Sequence, residues 1–289
     1  MKAVILAGGK GTRLLPLTRA TGKQLLPVFD KPVIYYPLST LIHAGATEIL
    51  IISSPKDIGM IKHLLGNGKK LGISLSYLIQ EIPMGLADGV KISKNFLEKN
   101  PFWFILGDNL FHGPDFGFVL KNRYAESDGT KVFAYRVADP SAYGVVKFGS
   151  NGESISKIIE KPKEFISKWA ITGLYKFDSE APNLAADLRP SARGEFEIVD
   201  LLNLYLNQKK LEVVKISRGN AWFDLGTPEN LLMAAQFVHS IQTRQGQLVG
   251  SPEEASYNSR KISRTQLELT IGELGKNEYS DQLLSLLEV

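Results

Sequence analysis

The chain has 289 residues, 44% of them hydrophobic and 22% charged, a globular composition long enough for one well-buried core, with or without a smaller appended unit. Its net charge of +4 is mild and its basic pairs, such as Lys69-Lys70 and Lys209-Lys210, are short and scattered, so no nucleic-acid surface is expected; a site for anionic metabolites suits the balance better. The absence of cysteine excludes disulfides, zinc-thiolate centres and cysteine nucleophiles.

The chain opens with Lys2 and the apolar run Ala3-Val4-Ile5-Leu6-Ala7, too short for a signal peptide and continuing directly into Gly-Gly-Lys-Gly-Thr-Arg. No stretch approaches the ~20 apolar residues of a membrane span, so a cytoplasmic protein with no membrane partner is expected. Runs rich in Val, Ile and aromatics predict strands over 2–7, 48–53, 75–80, 102–106, 131–137, 143–148, 154–160, 170–177 and 212–216. Between the early ones, Pro32 in a first helical turn predicts a helix through Tyr35, Leu38 and Ile42 to a stop near Gly45; further helices are predicted over 56–65, 86–98 and 116–126. This alternation predicts an α/β fold, a doubly wound and mainly parallel sheet with helices on both faces. Beyond about residue 130 the pattern is strand-rich, which predicts antiparallel additions to that sheet. Thr227 as cap and Pro228 as first-turn residue predict a long helix ending at Gly246, with Leu231, Leu232, Ala235, Val238 and Ile241 on one face. The expected division is a core over 1–226 and a C-terminal helical segment over 227–289.

The loop after the first strand, ILAGGKGTRLLPLT, fits neither common phosphate-loop pattern. Gly9 and Gly11 suit a dinucleotide fingerprint, but its third glycine position is Leu14; Gly22-Lys23 is followed by Gln24 where a Walker loop needs Ser or Thr. Gly8, Gly9 and Gly11 can still turn successive N–H groups into one concavity, and Arg13 and Lys23 add a planar fork and a point charge suited to a polyphosphate. From the residues alone, a tight turn with two solvated cations stays open. Asp108 follows an apolar strand through Gly107 and so emerges at a strand C-terminus, the edge where open α/β sheets bind ligands, although Gly-Asp-Asn is also an ordinary turn. His43, His63, His112 and His239 show no ligand or triad spacing.

The run A-G-G-K-G-T-R-L-L-P-L-T with K-Q-L-L-P-V resembles the signature of sugar-phosphate nucleotidylyltransferases, and D-K-P-V-I-Y-Y-P-L-S-T-L narrows the resemblance to glucose-1-phosphate thymidylyltransferases. It continues through L-G-D-N, Y-G-V-V, E-K-P, T-G-L-Y, R-G-E-F-E-I and W-F-D-L-G-T, over roughly residues 2 to 250. The resemblance implies a Rossmann-like nucleotidyltransferase fold and transfer of a deoxythymidylyl group from dTTP to glucose 1-phosphate with release of pyrophosphate. It implies Mg²⁺ held by Asp108 and Asp224, with Arg13, Lys23 and Asp108 as catalytic residues. Gly8, Gly9, Gly11, Thr12, Gln24, Gln80 and Gly85 join Arg13, Lys23 and Asp108 around the nucleotide. Asn109, Tyr143, Gly144, Glu160, Lys161, Ile171, Thr172 and Arg193 fall on the sugar-phosphate positions. A homotetramer is implied, as is a product that feeds dTDP-sugar synthesis such as that of dTDP-rhamnose. Ser251-Pro252-Glu253-Glu254 resembles part of an inhibitory nucleotide-sugar region.

The sequence departs from the family pattern at four places. Asp88-Gly89 replaces the usual Gln-Ala, Leu225 replaces a Thr beside Asp224, and Gly22 replaces a Ser before Lys23. Asp88 suits a helix start but not a neighbouring phosphate, and Gly89 inside a helix costs about 1 kcal/mol relative to Ala. Thymine and uracil differ by a methyl group, so a uridylyltransferase, or an enzyme of another hexose 1-phosphate, stays open on physical grounds. A non-catalytic nucleotide-sugar sensor is the rival from another class. The joint presence of Arg13, Lys23, Asp108 and Asp224 disfavours it, and Leu14 disfavours a dinucleotide oxidoreductase.

Overall fold

A computed structural model of the chain describes residues 1–288. β1 (Lys2–Leu6) is apolar on both faces because both are covered: Ala3 and Ile5 enter one core cluster while Val4 and Leu6 enter the other. After the glycine loop come three short 3₁₀ turns and a hairpin of β2 (Pro27–Val28) and β3 (Lys31–Pro32). The hairpin corrects one expectation: Pro32 ends β3, and α1 (Tyr35–His43) begins three residues later. Then follow β4 (Glu48–Ser53), α2 (Ile58–Leu65) and β5 (Ser74–Ile79). The helix expected over 86–98 is two, α3 (Leu86–Ile92) and α4 (Lys94–Leu97). They part at Ser93, whose hydroxyl donates to the Val90 carbonyl at 2.7 Å and competes with the helical ladder.

β6 (Phe102–Leu106) pairs in parallel with β1, which pairs in parallel with β4, and β4 with β5. β7 (Asn109–His112) then leaves the main sheet. The predicted 116–126 helix is α5 (Phe116–Val119) continued by a wider turn over Leu120–Tyr124. β8 (Thr130–Arg136), β9 (Gly144–Phe148), β10 (Ile155–Glu160) and β11 (Trp169–Phe177) follow; β11 runs antiparallel to β6, β8 and β9. After α6 (Ala181–Ala186) and α7 (Ile198–Asn207), β12 (Leu211–Lys215) joins β8 in parallel and β13 (Ala221–Asp224) pairs with β7. The nine-stranded sheet runs β10-β9-β11-β6-β1-β4-β5, with β8 attached to β11 and β12 to β8. The doubly wound, mixed sheet with antiparallel additions is therefore borne out.

α1 covers one face of the sheet through Leu38, Leu41 and Ile42, while α3 and α7 cover the other through Ala87, Val90, Leu201 and Leu202. Gly89 has a packing reason: a Cβ there would lie 3.0 Å from a Leu6 methyl, so its absence lets α3 settle onto β1. α8 (Pro228–Gln245) starts on the Thr227 cap, which accepts from Asn230 N at 3.2 Å, and stops at left-handed Gly246. Its buried face is Leu231, Ala234, Val238 and Gln242; Leu232 lies one residue, about 100°, round the helix and is 60% exposed, against expectation. α9 (Pro252–Asn258), α10 (Arg264–Leu274) and α11 (Glu278–Ser285) complete the C-terminal layer, gathered round a small cluster of Leu248, Ile262, Leu267, Leu283 and Leu287.

Candidate active site

β4 and β5 lie on one side of β1 and β6 on the other, so the C-terminal ends of β1 and β6 flank the point where the chain reverses its order across the sheet. A cavity of about 350 Å³ opens there, the expected place for a ligand in such a sheet. Gly8 and Gly9 line it, with Gly9 at φ 107°, where a larger residue would be strained. Arg13 and Lys23 enter from the 3₁₀ turns Thr12–Leu14 and Lys23–Leu25. Lys23 Nζ donates to Asp108 Oδ2. Not every nucleotide-loop residue faces the cavity. Gly11 and Thr12 stand outside its wall, Gly11 accepting from the Thr18 hydroxyl at 2.8 Å. Gln24 is buried beneath the loop, where its Nε2 donates to the Gly8 carbonyl at 3.2 Å.

Asp224 reaches the same place by a local device. β13 pairs antiparallel with β7, which sets Asp224 opposite Asn109, and Leu225 N donates to the Asp108 carbonyl at 2.9 Å. Leu225 itself is buried in a cluster with Leu14, Leu110 and Leu231, so an apolar residue beside Asp224 is explained by core packing beneath the site. Asn109 is the hub: Nδ2 donates to Asp108 Oδ1 at 3.2 Å, while Oδ1 accepts from Trp222 Nε1 at 2.7 Å and Gly173 N at 3.1 Å. Burial works to raise the Asp108 pKa, but the Lys23 ammonium and the Asn109 amide outweigh it and hold that carboxyl below its ordinary value. Burial and then the Asp108 charge push Asp224 up to about 6, against the pull of Lys23 and Arg13. Two acids crowded in this way, Asp108 buried and Asp224 half-buried, fit a hard divalent cation, whose charge would relieve both. No cluster of three or more His, Cys, Asp or Glu ligands occurs among the described residues, so such an ion would complete its shell with water and ligand oxygens.

The far half of the cavity is lined by Tyr143, Gly144, Glu160, Lys161, Ile171, Thr172 and Arg193. Glu160 and Lys161 both line it because β10 ends at Glu160 and Lys161 turns into the left-handed region, φ 42°, breaking the alternation of a strand. They also form an ion pair at 3.6 Å, so the pairing and the shared cavity coexist. Burial raises the Glu160 pKa, opposed by Lys161 and reinforced by Glu197. Arg193 spans two acids, donating from Nε to Glu197 Oε1 at 3.1 Å and from Nη2 to Glu160 Oε1 at 3.3 Å. Glu197 and Trp222 line the cavity without having been singled out from the sequence. Glu197 lies on extended backbone immediately before α7, where no helical or strand period marks it.

At the near end, Gln80 and Gly85 line the cavity beside Gly8. Gly85 is at φ 101° and its missing Cβ would meet the Phe196 carbonyl at 2.5 Å, so close main-chain packing requires the glycine. Gly22, likewise, faces Asp57: a Cβ there would lie 2.7 Å from the carboxyl carbon, which excludes the larger Ser without a shift.

The nucleotidyl transferase family model matches residues 2–241. The chain belongs to the nucleotidyl transferase family. Among similar members, a glucose-1-phosphate thymidylyltransferase of Neisseria meningitidis is 46% identical over 288 residues, covering 100% of both chains. One of Mycolicibacterium smegmatis is also 46% identical, covering 100% of this chain and 99% of its own. A crystal structure from Bacillus anthracis, provisionally identified as a glucose-1-phosphate thymidylyltransferase and holding sucrose, superposes with a TM-score of 0.75 at 37% identity, over 82% of this chain and 94% of that one. A UDP-glucose pyrophosphorylase complexed with UDP-glucose shares the fold, with a TM-score of 0.73 at 24% identity over 83% of this chain and 98% of its own. This nucleotidyl transferase has no helix among its described residues long and apolar enough to cross a membrane.

Proposed function

We propose that the chain is a glucose-1-phosphate thymidylyltransferase, which joins glucose 1-phosphate to the α-phosphorus of dTTP and releases pyrophosphate. The carrying observation is the convergence of Arg13, Lys23, Asp108 and Asp224 on one cavity whose other end holds Glu160, Lys161 and Arg193. Full-length identity to curated enzymes of that name supports it.

The attacking phosphate has a second pKa of ~6 and is mostly dianionic at neutral pH, so the site needs no general base. It needs positioning and charge neutralisation. Lys161 and Arg193 hold the sugar phosphate, while Glu160 and the Gly144 and Ile171 segments hold the sugar. Lys23 anchors the α-phosphate region, and Arg13 takes up the charge that builds on the leaving pyrophosphate. Asp108 and Asp224 would hold a divalent cation, Mg²⁺ in this reading, which supplies electrophilic stabilisation of the phosphoryl oxygens. Asn109 keeps Asp108 aimed by its own three hydrogen bonds. The working unit is a homotetramer, with residues 227–289 supplying subunit contacts.

Pyrophosphate release is measured with Mg²⁺ across dTTP, UTP, CTP, ATP and GTP, with glucose, galactose and mannose 1-phosphates as acceptors. Turnover with dTTP and glucose 1-phosphate is expected to dominate. Preference for UTP would move the reading to a uridylyltransferase, and no turnover with any pair would leave a sensor. Arg13→Ala is expected to lower kcat by about 10²- to 10³-fold with the melting temperature nearly unchanged. Near-normal kcat would remove the role assigned to Arg13.

A further inference from the structure

Asp88 stands where the family pattern has glutamine, and it is buried, 8% exposed, against Gln80, itself 5% exposed. Gln80 Nε2 donates to Asp88 Oδ2 at 2.7 Å. A carboxylate has no hydrogen to give, so the amide end that meets it must be the NH₂. That chemistry chooses between the two flips of the Gln80 amide, which distances alone do not. A carboxamide at position 88 could accept or donate and would leave both flips open. With Nε2 turned to Asp88, the Gln80 carbonyl oxygen lies towards Gly8, 3.1 Å from where a Cβ on that glycine would project.

Neither partner is free to swing. Gln80 follows β5, and its N donates to the Ser53 carbonyl at 2.9 Å. Asp88 rides on α3, which is pinned by Ala87 N donating to the Phe196 carbonyl at 3.1 Å and by the tight seat of Gly89 on Leu6.

We propose that Asp88 is a positioning residue for base selection: it fixes Gln80 so that the site presents a carbonyl acceptor, with the second Nε2 hydrogen beside it, to the pyrimidine edge. Thymine and uracil offer N3–H to that carbonyl and O4 to that hydrogen. Cytosine offers a lone pair at N3 and an amino group at C4, so acceptor meets acceptor and donor meets donor. The inference rests on the proposed function, with Gln80, which the resemblance places at the nucleotide and which lines the near end of the cavity beside Gly8, facing the base.

The test compares kcat/KM for dTTP and dCTP, with Mg²⁺ and glucose 1-phosphate, in the wild type, Asp88→Asn, Asp88→Ala and Gln80→Met. In Asp88→Asn the dTTP-over-dCTP ratio is expected to fall by about tenfold or more, because the amide can now turn over. Asp88→Ala, which removes the acceptor altogether, should shift the ratio in the same direction, and KM for glucose 1-phosphate should stay unchanged. Gln80→Met should lose most of the preference for dTTP. If both Asp88 variants keep the wild-type ratio while Gln80→Met loses it, Asp88 is only a packing residue and the proposal fails alone. If Gln80→Met also keeps the ratio, Gln80 does not read the base and the underlying assignment fails with it.

Discussion

Gly85 shows how one absent side chain can set the shape of the site. Its φ of 101° and the Phe196 carbonyl 2.5 Å from its missing Cβ leave no room for a methyl group. Gly85→Ala should therefore destabilise the protein by about 1–3 kcal/mol, from strain plus overlap with backbone, and should displace the segment carrying Glu197. A thermal melt and the KM for the sugar phosphate check both effects; an unchanged melting temperature would show that this contact yields easily. At Asp224 the balance runs the other way. Asp224→Asn removes one of two crowded acids, so in chelator its melting temperature should not drop, while kcat with Mg²⁺ should fall by about 10²-fold or more. A folded variant with normal kcat would separate Asp224 from the chemistry.

Among the elements, those with a strong period of their own were legible. The parallel strands β1, β4 and β6 lie within a residue of their expected bounds because burial on both faces makes them continuous apolar runs, while β5, at the sheet edge, is marked instead by its alternation of Leu75 with exposed Ser74 and Ser76. The β7–β13 ribbon was not, since Asn109–His112 and Ala221–Asp224 are four residues each, mixed in composition, and defined only by pairing with one another. That ribbon is what makes Asp224 a site residue, so the physical reason for its role was hidden although resemblance named it. α7 was passed over despite Ile198, Val199, Leu201, Leu202 and Tyr205 at helical spacing. Gly11, Thr12 and Gln24 were legible as loop residues, but their orientation away from the cavity depends on the 3₁₀ turns and on contacts beneath the loop. One C-terminal element carries a pH prediction. Burial pushes the Glu254 carboxyl on α9 up to about 7, with Lys31 opposing. Its folded pKa thus exceeds the unfolded one, and stability falls as pH rises from about 4.5 to 7, where the unfolded chain sheds this proton first. Glu254→Gln should leave the melting temperature unchanged near pH 4 and raise it at pH 8, by on the order of 1 kcal/mol of stability. An equal effect at both pH values would rule out ionisation as its cause.

For the molecule as a whole, the join between the core and the C-terminal layer contains a buried polar network beside its apolar contacts. Lys31, 3% exposed, donates to Asp30 Oδ1 at 2.5 Å and to Gln242 Oε1 at 3.0 Å, and its ammonium lies 5.4 Å from the ring centres of both Tyr36 and Tyr279. Gln242 in turn donates to Asp30 Oδ2 at 3.0 Å and Gln282 at 3.2 Å, tying the hairpin to α8 and α11. Lys31→Met would leave Asp30 without its cation, and should cost about 3 kcal/mol. The urea midpoint should drop accordingly, with faster proteolytic cleavage between α9 and α10; an unmoved midpoint would show that the layer is held by its apolar contacts alone.

The β7–β13 ribbon has one more consequence. Asp224 is three residues from Thr227, which caps α8, and Asn230 from the first turn of that helix donates from Nδ2 to the Asp224 main-chain carbonyl at 2.7 Å. No glycine hinge other than Gly226 intervenes, and that residue is wedged between Arg13 and Asp224. The eighteen-residue rod and the acid thus share one hydrogen-bonded frame, like a tiller and its rudder, so a load on the outer side of α8 that shifts its first turn is expected to carry Asp224 with it, from outside the cavity.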